Sequence, residues 1–213
     1  MPEFSAILFD FDGTLLDSEP AHWASWAAAL APVGIQLEWD FYRNNCIGID
    51  DRELVRAFSN RATPPIAFDE LWPLYAVKLD LFRRQVCQSP PFPRGLGEFL
   101  ANLRDLYRLA VVSSSARPEV EPLLVTAGLR SYFDAVVCAE DTCHHKPRPE
   151  PYLLAAEMVG SSSALVVEDS AAGIASGRAA GFDVVEVTSP AVMPELLLRR
   201  LGIAHTRDPE RWK

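Results

Sequence analysis

No apolar run in this chain approaches the ~18 consecutive residues that a membrane-spanning helix needs, so a membrane-embedded role is not expected. Residues 1–5 carry no basic segment, and the short apolar stretch after them is broken by Asp10 and Asp12, so the start does not read as a secretory leader. Basic clusters are also lacking. The chain has 29 acidic residues against 20 basic ones, a formal net charge of −9. A nucleic-acid footprint needs a basic face, and no Lys/Arg stretch of useful length supplies one. The same acidity repels anions, so an anionic substrate must be drawn by local features. The four cysteines, Cys46, Cys87, Cys138 and Cys143, form no CxxC pair and no disulfide framework. Reduced thiols in a cytoplasmic protein are the expectation. Internal repeats and low-complexity tracts are absent. What remains is 213 residues, 49% apolar and 23% charged, ordinary for a globular chain that buries a sizeable core. A monomer is the default expectation.

Five short apolar runs punctuate the chain: residues 5–9, 109–112, 135–138, 164–167 and 184–187. They are β-branched or otherwise apolar and show no alternation, which suits strands covered on both faces and therefore a parallel sheet. Helical spacing fills the gaps at 96–106, 118–127, 149–159 and 171–180, with Gly128, Gly160 and Gly181 as C-terminal stops. The alternation predicts a doubly wound, Rossmann-like α/β core built from right-handed βαβ units.

One stretch breaks the rhythm. Residues 18 to about 88 carry helix signals only, with apolar stripes at Trp23, Trp26, Ala27 and Leu30, then Leu54, Val55 and Phe58, then Leu71, Leu74, Tyr75, Leu79 and Phe82. This is too long for a connection and reads as an inserted all-helical subdomain. Asp17-Ser18-Glu19-Pro20 opens it, and the stiff Pro90-Pro91-Phe92-Pro93-Arg94-Gly95 joint closes it. The expected division is a core of residues 1–17 and 92–213 and a helical cap of residues 18–91.

The chemistry concentrates at the carboxyl ends of the predicted strands, where open α/β sheets bind ligands. Asp10-Phe11-Asp12-Gly13-Thr14 follows the first strand, and Gly13 permits the turn that brings two carboxylates to one pocket. Glu168-Asp169-Ser170 follows the fourth. Four acids above one sheet repel one another unless a cation compensates, and an all-oxygen donor set favours magnesium. Acids before helices also serve as N-caps, which is the competing reading of each pair. Ser113-Ser114-Ser115 ends the second strand ahead of a helix, a place suited to an anion. Ser113 on phosphate and Ser115 as N-cap are compatible roles. Lys146, in His145-Lys146-Pro147-Arg148-Pro149, either neutralises a phosphate or nucleophile oxygen or is simply solvated.

Four segments carry a resemblance: DFDGT at 10–14, VVSSS at 111–115, KPRPEPY at 146–152 and VVEDSAAGIASGRAAG at 166–181. In this order and spacing they resemble the haloacid dehalogenase superfamily across nearly the whole chain. The helical insert looks like that superfamily's C1 cap, and the subgroup resembled contains β-phosphoglucomutases, sugar-phosphate phosphatases and phosphoglycolate phosphatases. The resemblance implies that Asp10 is the nucleophile and forms an aspartyl-phosphate. Asp12 is implied as general acid, then base; dehalogenases of the superfamily lack this second aspartate. Magnesium is implied on Asp10, the Asp12 backbone carbonyl, Asp169 and, less directly, Glu168. Thr14, Ser113, Ser114 and Lys146 are implied to hold the phosphoryl group.

Within the cap, Glu19, His22 and Arg52 are the candidate substrate contacts. A histidine at the His22 position couples substrate binding to cap closure in the resembled mutases; a packed helix histidine is the alternative. Trp23 and Trp26 read as packing. Two departures disfavour the mutases. Asp51 stands where they carry a phosphate-gripping arginine, with Arg52 one position later, and Ala116-Arg117 replaces their Lys-Asn pair. A third departure is His144-His145 before Lys146; with Cys138 and Cys143 these match no ordinary zinc pattern. The expected function is a magnesium-dependent phosphatase acting on a small, sugar phosphate-like metabolite. A mutase using the same intermediate is the alternative, and a catalytically silent scaffold the remote one.

Overall fold

Five strands form one parallel sheet: β1 (Ala6–Phe9), β2 (Arg108–Val112), β3 (Ala135–Val137), β4 (Ala164–Glu168) and β5 (Asp183–Glu186), in the order β3-β2-β1-β4-β5. The computed structural model describes residues 3–203; the expected outer limits of the core, residues 1–2 and 204–213, lie outside them. β1 is central, and its Phe9 stands level with Val111 of β2 and Val167 of β4. This register sets Asp10, Ser113 and Glu168 at nearly one height along the carboxyl edge. Two further ladder bonds, Asp10 N to the Val167 carbonyl and Ser113 N to the Val137 carbonyl, both 2.9 Å, extend the pairing to that edge.

Successive strand residues face opposite sides of the sheet. Ile7 and Phe9 enter one apolar cluster with Val111, Phe99, Leu123 and Leu197, while Ala6 and Leu8 enter another with Val112, Tyr152 and Ala155. The helices that supply these partners are α6 (Leu96–Arg104), α7 (Arg117–Thr126), α8 (Glu150–Met158) and α10 (Met193–Leu201), and α9 (Ala171–Ala179) lies against β4 and β5 through Gly177. Both faces are thereby covered, which explains the unbroken apolar strands. Helix α10 lay beyond the sequence reading. Met193 and Leu197 are its buried contribution to the first cluster, at one helical-turn spacing.

Between β1 and α6 the chain makes five α-helices: α1 (Glu19–Leu30), α2 (Trp39–Asn45), α3 (Asp51–Arg61), α4 (Phe68–Leu71) and α5 (Leu74–Val86). They build a core of their own around Trp26, Leu30, Tyr42, Leu54, Phe58 and Leu71. Each such buried side chain contributes roughly 1.5–3 kcal/mol. Trp23 and Trp26 pack as expected, their indole N–H groups bonded to the Leu37 carbonyl and Asp51. Where the chain enters and leaves this block, Asp17 N donates to the Pro91 carbonyl at 3.2 Å.

Candidate active site

The turn after β1 depends on Gly13. Its φ of +82° belongs to the left-handed region, and a Cβ there would lie 2.2 Å from Asp169 Oδ2. Glycine thus lets the β1 turn and the β4 end meet. Thr14, fully buried, donates to Asp169 Oδ1 at 3.2 Å and so orients that acid.

Lys146 stands at the centre of this meeting point. Its Nζ lies 2.6 Å from Asp10 Oδ1, 2.6 Å from Glu168 Oε1 and 3.0 Å from the Val112 carbonyl. Burial alone would lower the lysine, but Asp10 and Glu168 outweigh it and hold the ammonium above its ordinary range. Asp10 is pushed up, first by burial and then by the charges of Glu168 and Asp169, against the pull of Lys146. Asp169 is raised to about 7, by burial and by Glu168 and Glu19.

Both oxygens of Glu168 are occupied. Oε1 accepts from Lys146 and from Tyr152 Oη at 3.0 Å, and Oε2 accepts from Ser170 N at 2.8 Å and Ser170 Oγ at 3.1 Å. A Cβ on Gly173 would fall 1.5 Å from Oε1, so the start of α9 closes over this acid. The carboxylate expected as a further metal ligand thus also organises Lys146 and the helix start.

Asp10, Glu168 and Asp169 still present oxygens within 4.8 Å of one another. Three hard oxygen donors this close suit a divalent cation, and the crowding shows in Asp10 and Asp169, both raised by burial and by the charge of Glu168. Asp12 is not in this group. Its Oδ1 accepts from Ser18 Oγ and lies 3.0 Å from His22 Nε2; its Oδ2 accepts from Ser115 Oγ at 2.8 Å, with Ser113 Oγ at 3.5 Å. The four expected carboxylates therefore divide, three near the lysine and one toward α1. Burial would raise Asp12, but the charge of His22 and hydrogen bonds from His22, Ser18 and Ser115 win and hold it well below the carboxylate range. Burial and Lys78 push His22 down, while Asp12 and Glu119 more than offset them and raise it. Its ring stacks on Phe82 at 4.0 Å.

Ser115 is not the expected N-cap of α7. That position is Ala116, and the Ser115 hydroxyl goes to Asp12 instead. Ser113 Oγ accepts from Ser115 N at 2.9 Å, and Ser114 Oγ donates to the Gly48 carbonyl at 3.1 Å, joining sheet edge to helical block. Beneath that joint lies a partly enclosed cavity of about 30 Å³, lined by Asp10, Asp12, Glu19, His22, Ser114 and Asp169 among others. Glu19 accepts from Tyr42 Oη at 2.8 Å. Arg52 is not part of it: its guanidinium stacks 4.9 Å from the Trp72 ring and lines an adjoining cleft of about 360 Å³.

Sequence reasoning missed Tyr152, Ser18, Lys78 and Glu119. Lys78 had a signal: it falls three residues after Tyr75 and four before Phe82, on the buried stripe of α5, and is 1% exposed. Among the described residues, Cys138, Cys143, His144 and His145 form no metal-binding cluster.

A central parallel strand ending in an acid, flanked by a buried lysine and a second acidic strand end, defines a hydrolase class with an inserted helical block. The chain belongs to the haloacid dehalogenase-like hydrolase family, which it matches over residues 7–187. It is 33% identical over 189 residues to the fructose-1-phosphate phosphatase YqaB of Escherichia coli K12, covering 86% of this chain and 96% of that one. Among solved structures it resembles CbbY from Rhodobacter sphaeroides in complex with phosphate, at 26% identity, TM-score 0.73, and 88% and 87% coverage. β-Phosphoglucomutase from Clostridium difficile shares the fold at TM-score 0.78 and 19% identity, over 95% of this chain and 98% of that one. Among the described residues no helix is long and apolar enough to cross a membrane.

Proposed function

We propose that this chain is a magnesium-dependent phosphatase that hydrolyses a small, sugar phosphate-like monoester through an aspartyl-phosphate on Asp10. The observation that carries this is the set Asp10–Lys146–Glu168–Asp169, with only Asp169 partly exposed, at the carboxyl edge of the sheet beside a partly enclosed pocket. The phosphatase relative supports the reaction class.

In the first step an Asp10 oxygen attacks phosphorus and the bond to the leaving alcohol breaks. Asp12 protonates the departing oxygen. Its own carboxyl is held low, and His22 Nε2, 3.0 Å from Oδ1, is placed to share a proton with it. In the second step Asp12 takes a proton from water, which attacks phosphorus and releases Asp10 and phosphate. Lys146 fixes the rotamer of Asp10 and offsets charge throughout, with Ser113, Ser114 and Thr14 around the phosphoryl group. Magnesium, on Asp10, Asp169 and the Asp12 carbonyl, would neutralise the phosphoryl oxygens when bound. Residues 18–91 act as the cap that excludes bulk water from this chemistry.

The residues lining the pocket include no arginine or lysine. Asp51 is tied to Lys78 and Trp26, and Arg52 is stacked outside, so neither offers a grip for a second phosphate. This favours the phosphatase over the mutase. The four free cysteines and the acidic surface fit a cytoplasmic enzyme, taken as a monomer, with a small metabolite rather than nucleic acid as partner. The test is phosphate release from hexose phosphates and phosphoglycolate with and without magnesium. Asp10→Asn is expected to abolish it while leaving the melting temperature intact; wild-type-like turnover in that variant would remove Asp10 as nucleophile.

A further inference from the structure

A second group of charges is buried away from Asp10, and the chemistry just described leaves it without a task. Lys78 on α5 and Glu119 on α7 have side chains 1% exposed. Lys78 Nζ donates to Glu119 Oε1 and to both oxygens of Asp51, at 3.2 and 3.3 Å. Tyr75 Oη donates to Glu119 Oε2 at 3.2 Å, and His22 Nδ1 lies 3.8 Å from Glu119 Oε1. Glu119 belongs to the first turn of a core helix; Tyr75, Lys78 and His22 all belong to the helical block. One core carboxylate therefore receives three side chains of the block. The other nitrogen of His22 reaches Asp12, so a single imidazole separates Glu119 from the acid–base group.

Buried ion pairs are a poor way to gain stability, since apolar residues of similar volume do as well or better. Their distinctive property is that a missing partner is penalised heavily, so the block seats fully or not at all. Resting on the phosphatase reading above, we propose that Glu119 is a positioning residue for phosphoryl transfer. It receives the seated cap and holds His22, and through His22 the carboxylate of Asp12, in line with the leaving oxygen. When the cap lifts, Lys78, Tyr75 and His22 leave Glu119 together, and Asp12 loses its orientation.

The test is Glu119→Gln in the full chain with magnesium, read as kcat/KM on two kinds of ester. This constant covers the steps through departure of the leaving group. For whichever hexose phosphate or phosphoglycolate the wild type hydrolyses, the alkoxide must be protonated as it leaves, and a loss of about 100-fold is expected from misplacing the acid. For 4-nitrophenyl phosphate, whose leaving group needs no proton, the loss stays below about 10-fold. Equal losses on both esters overturn the proposal and leave Glu119 a structural residue. In a His22→Asn background, Glu119→Gln is expected to add nothing; multiplying losses also overturn it. Should Glu119→Gln fail to fold, Tyr75→Phe removes one donor to Oε2 at a half-buried position, with about a fivefold loss expected on the alkyl ester alone. An unchanged or equal effect on both esters sinks the idea. If the wild type hydrolyses no phosphate ester, the phosphatase reading falls and this inference falls with it.

Discussion

Replacing Lys146 by methionine is the perturbation most directly determined by the structure. The ammonium lies 2.6 Å from Asp10 and 2.6 Å from Glu168, and its side chain is 1% exposed. Methionine fills the space but removes the cation between two buried acids. Breaking a buried pair in this way destabilises by about 3–5 kcal/mol. For a domain of this size each kcal/mol moves the melting temperature by ~2–4 °C, giving a fall of roughly 6–20 °C near pH 8. The loss should depend on pH in a defined sense. Asp10 is already raised by burial and by its acidic neighbours; without the lysine it rises further, above its unfolded value. The folded variant then binds a proton that the unfolded chain has released, so its stability increases as pH falls toward about 5. The wild-type lysine has a raised folded pKa, and its contribution is complete below the unfolded value of about 10.4, so it does not change across this window. Differential scanning fluorimetry of both proteins without magnesium measures this. A deficit near pH 8 no larger than that near pH 5 would refute the reasoning.

Gly13→Ala forces a side chain into the left-handed region and against Asp169 Oδ2, so turnover should drop sharply and magnesium affinity with it; calorimetric titration showing wild-type affinity would speak against the close approach. Trp26→Ala empties the centre of the helical block, with about 3–5 kcal/mol lost, visible as an earlier thermal transition; an unchanged transition would mean the block holds without it. Chelation should abolish phosphate release and added magnesium restore it, and turnover surviving exhaustive chelation would argue against a cation on Asp10 and Asp169.

The strands were legible because each is a short apolar run covered on both faces, and the acids at their ends declared the carboxyl edge. Asp10 and Asp169 come together from the ends of β1 and β4, and Lys146, which its loop position alone left open as a solvated lysine, lies against Asp10. Glu168 and Asp12 show where pattern stops short. Both are acids at strand ends, yet Glu168 is enclosed by Lys146, Tyr152 and Ser170, while Asp12 turns to α1. Which way a carboxylate turns depends on donors from distant segments, and spacing carries no record of them. Ser115 illustrates the same limit: a hydroxyl before a helix is ordinarily an N-cap, but here a buried acid 103 positions away claims it. Arg52 was a candidate substrate contact by its place beside Asp51, and its stacking on Trp72 depends on α3 packing against α4, which no local pattern encodes.

The bond between Asp17 and the Pro91 carbonyl has a mechanical consequence. Both chain crossings into the helical block stand side by side, so the block is hung from one post. If the block turns on that hinge, the seam where Ser114 meets Gly48 is expected to part. Such a turn would open the chamber beneath it to a metabolite without disturbing a single strand of the sheet.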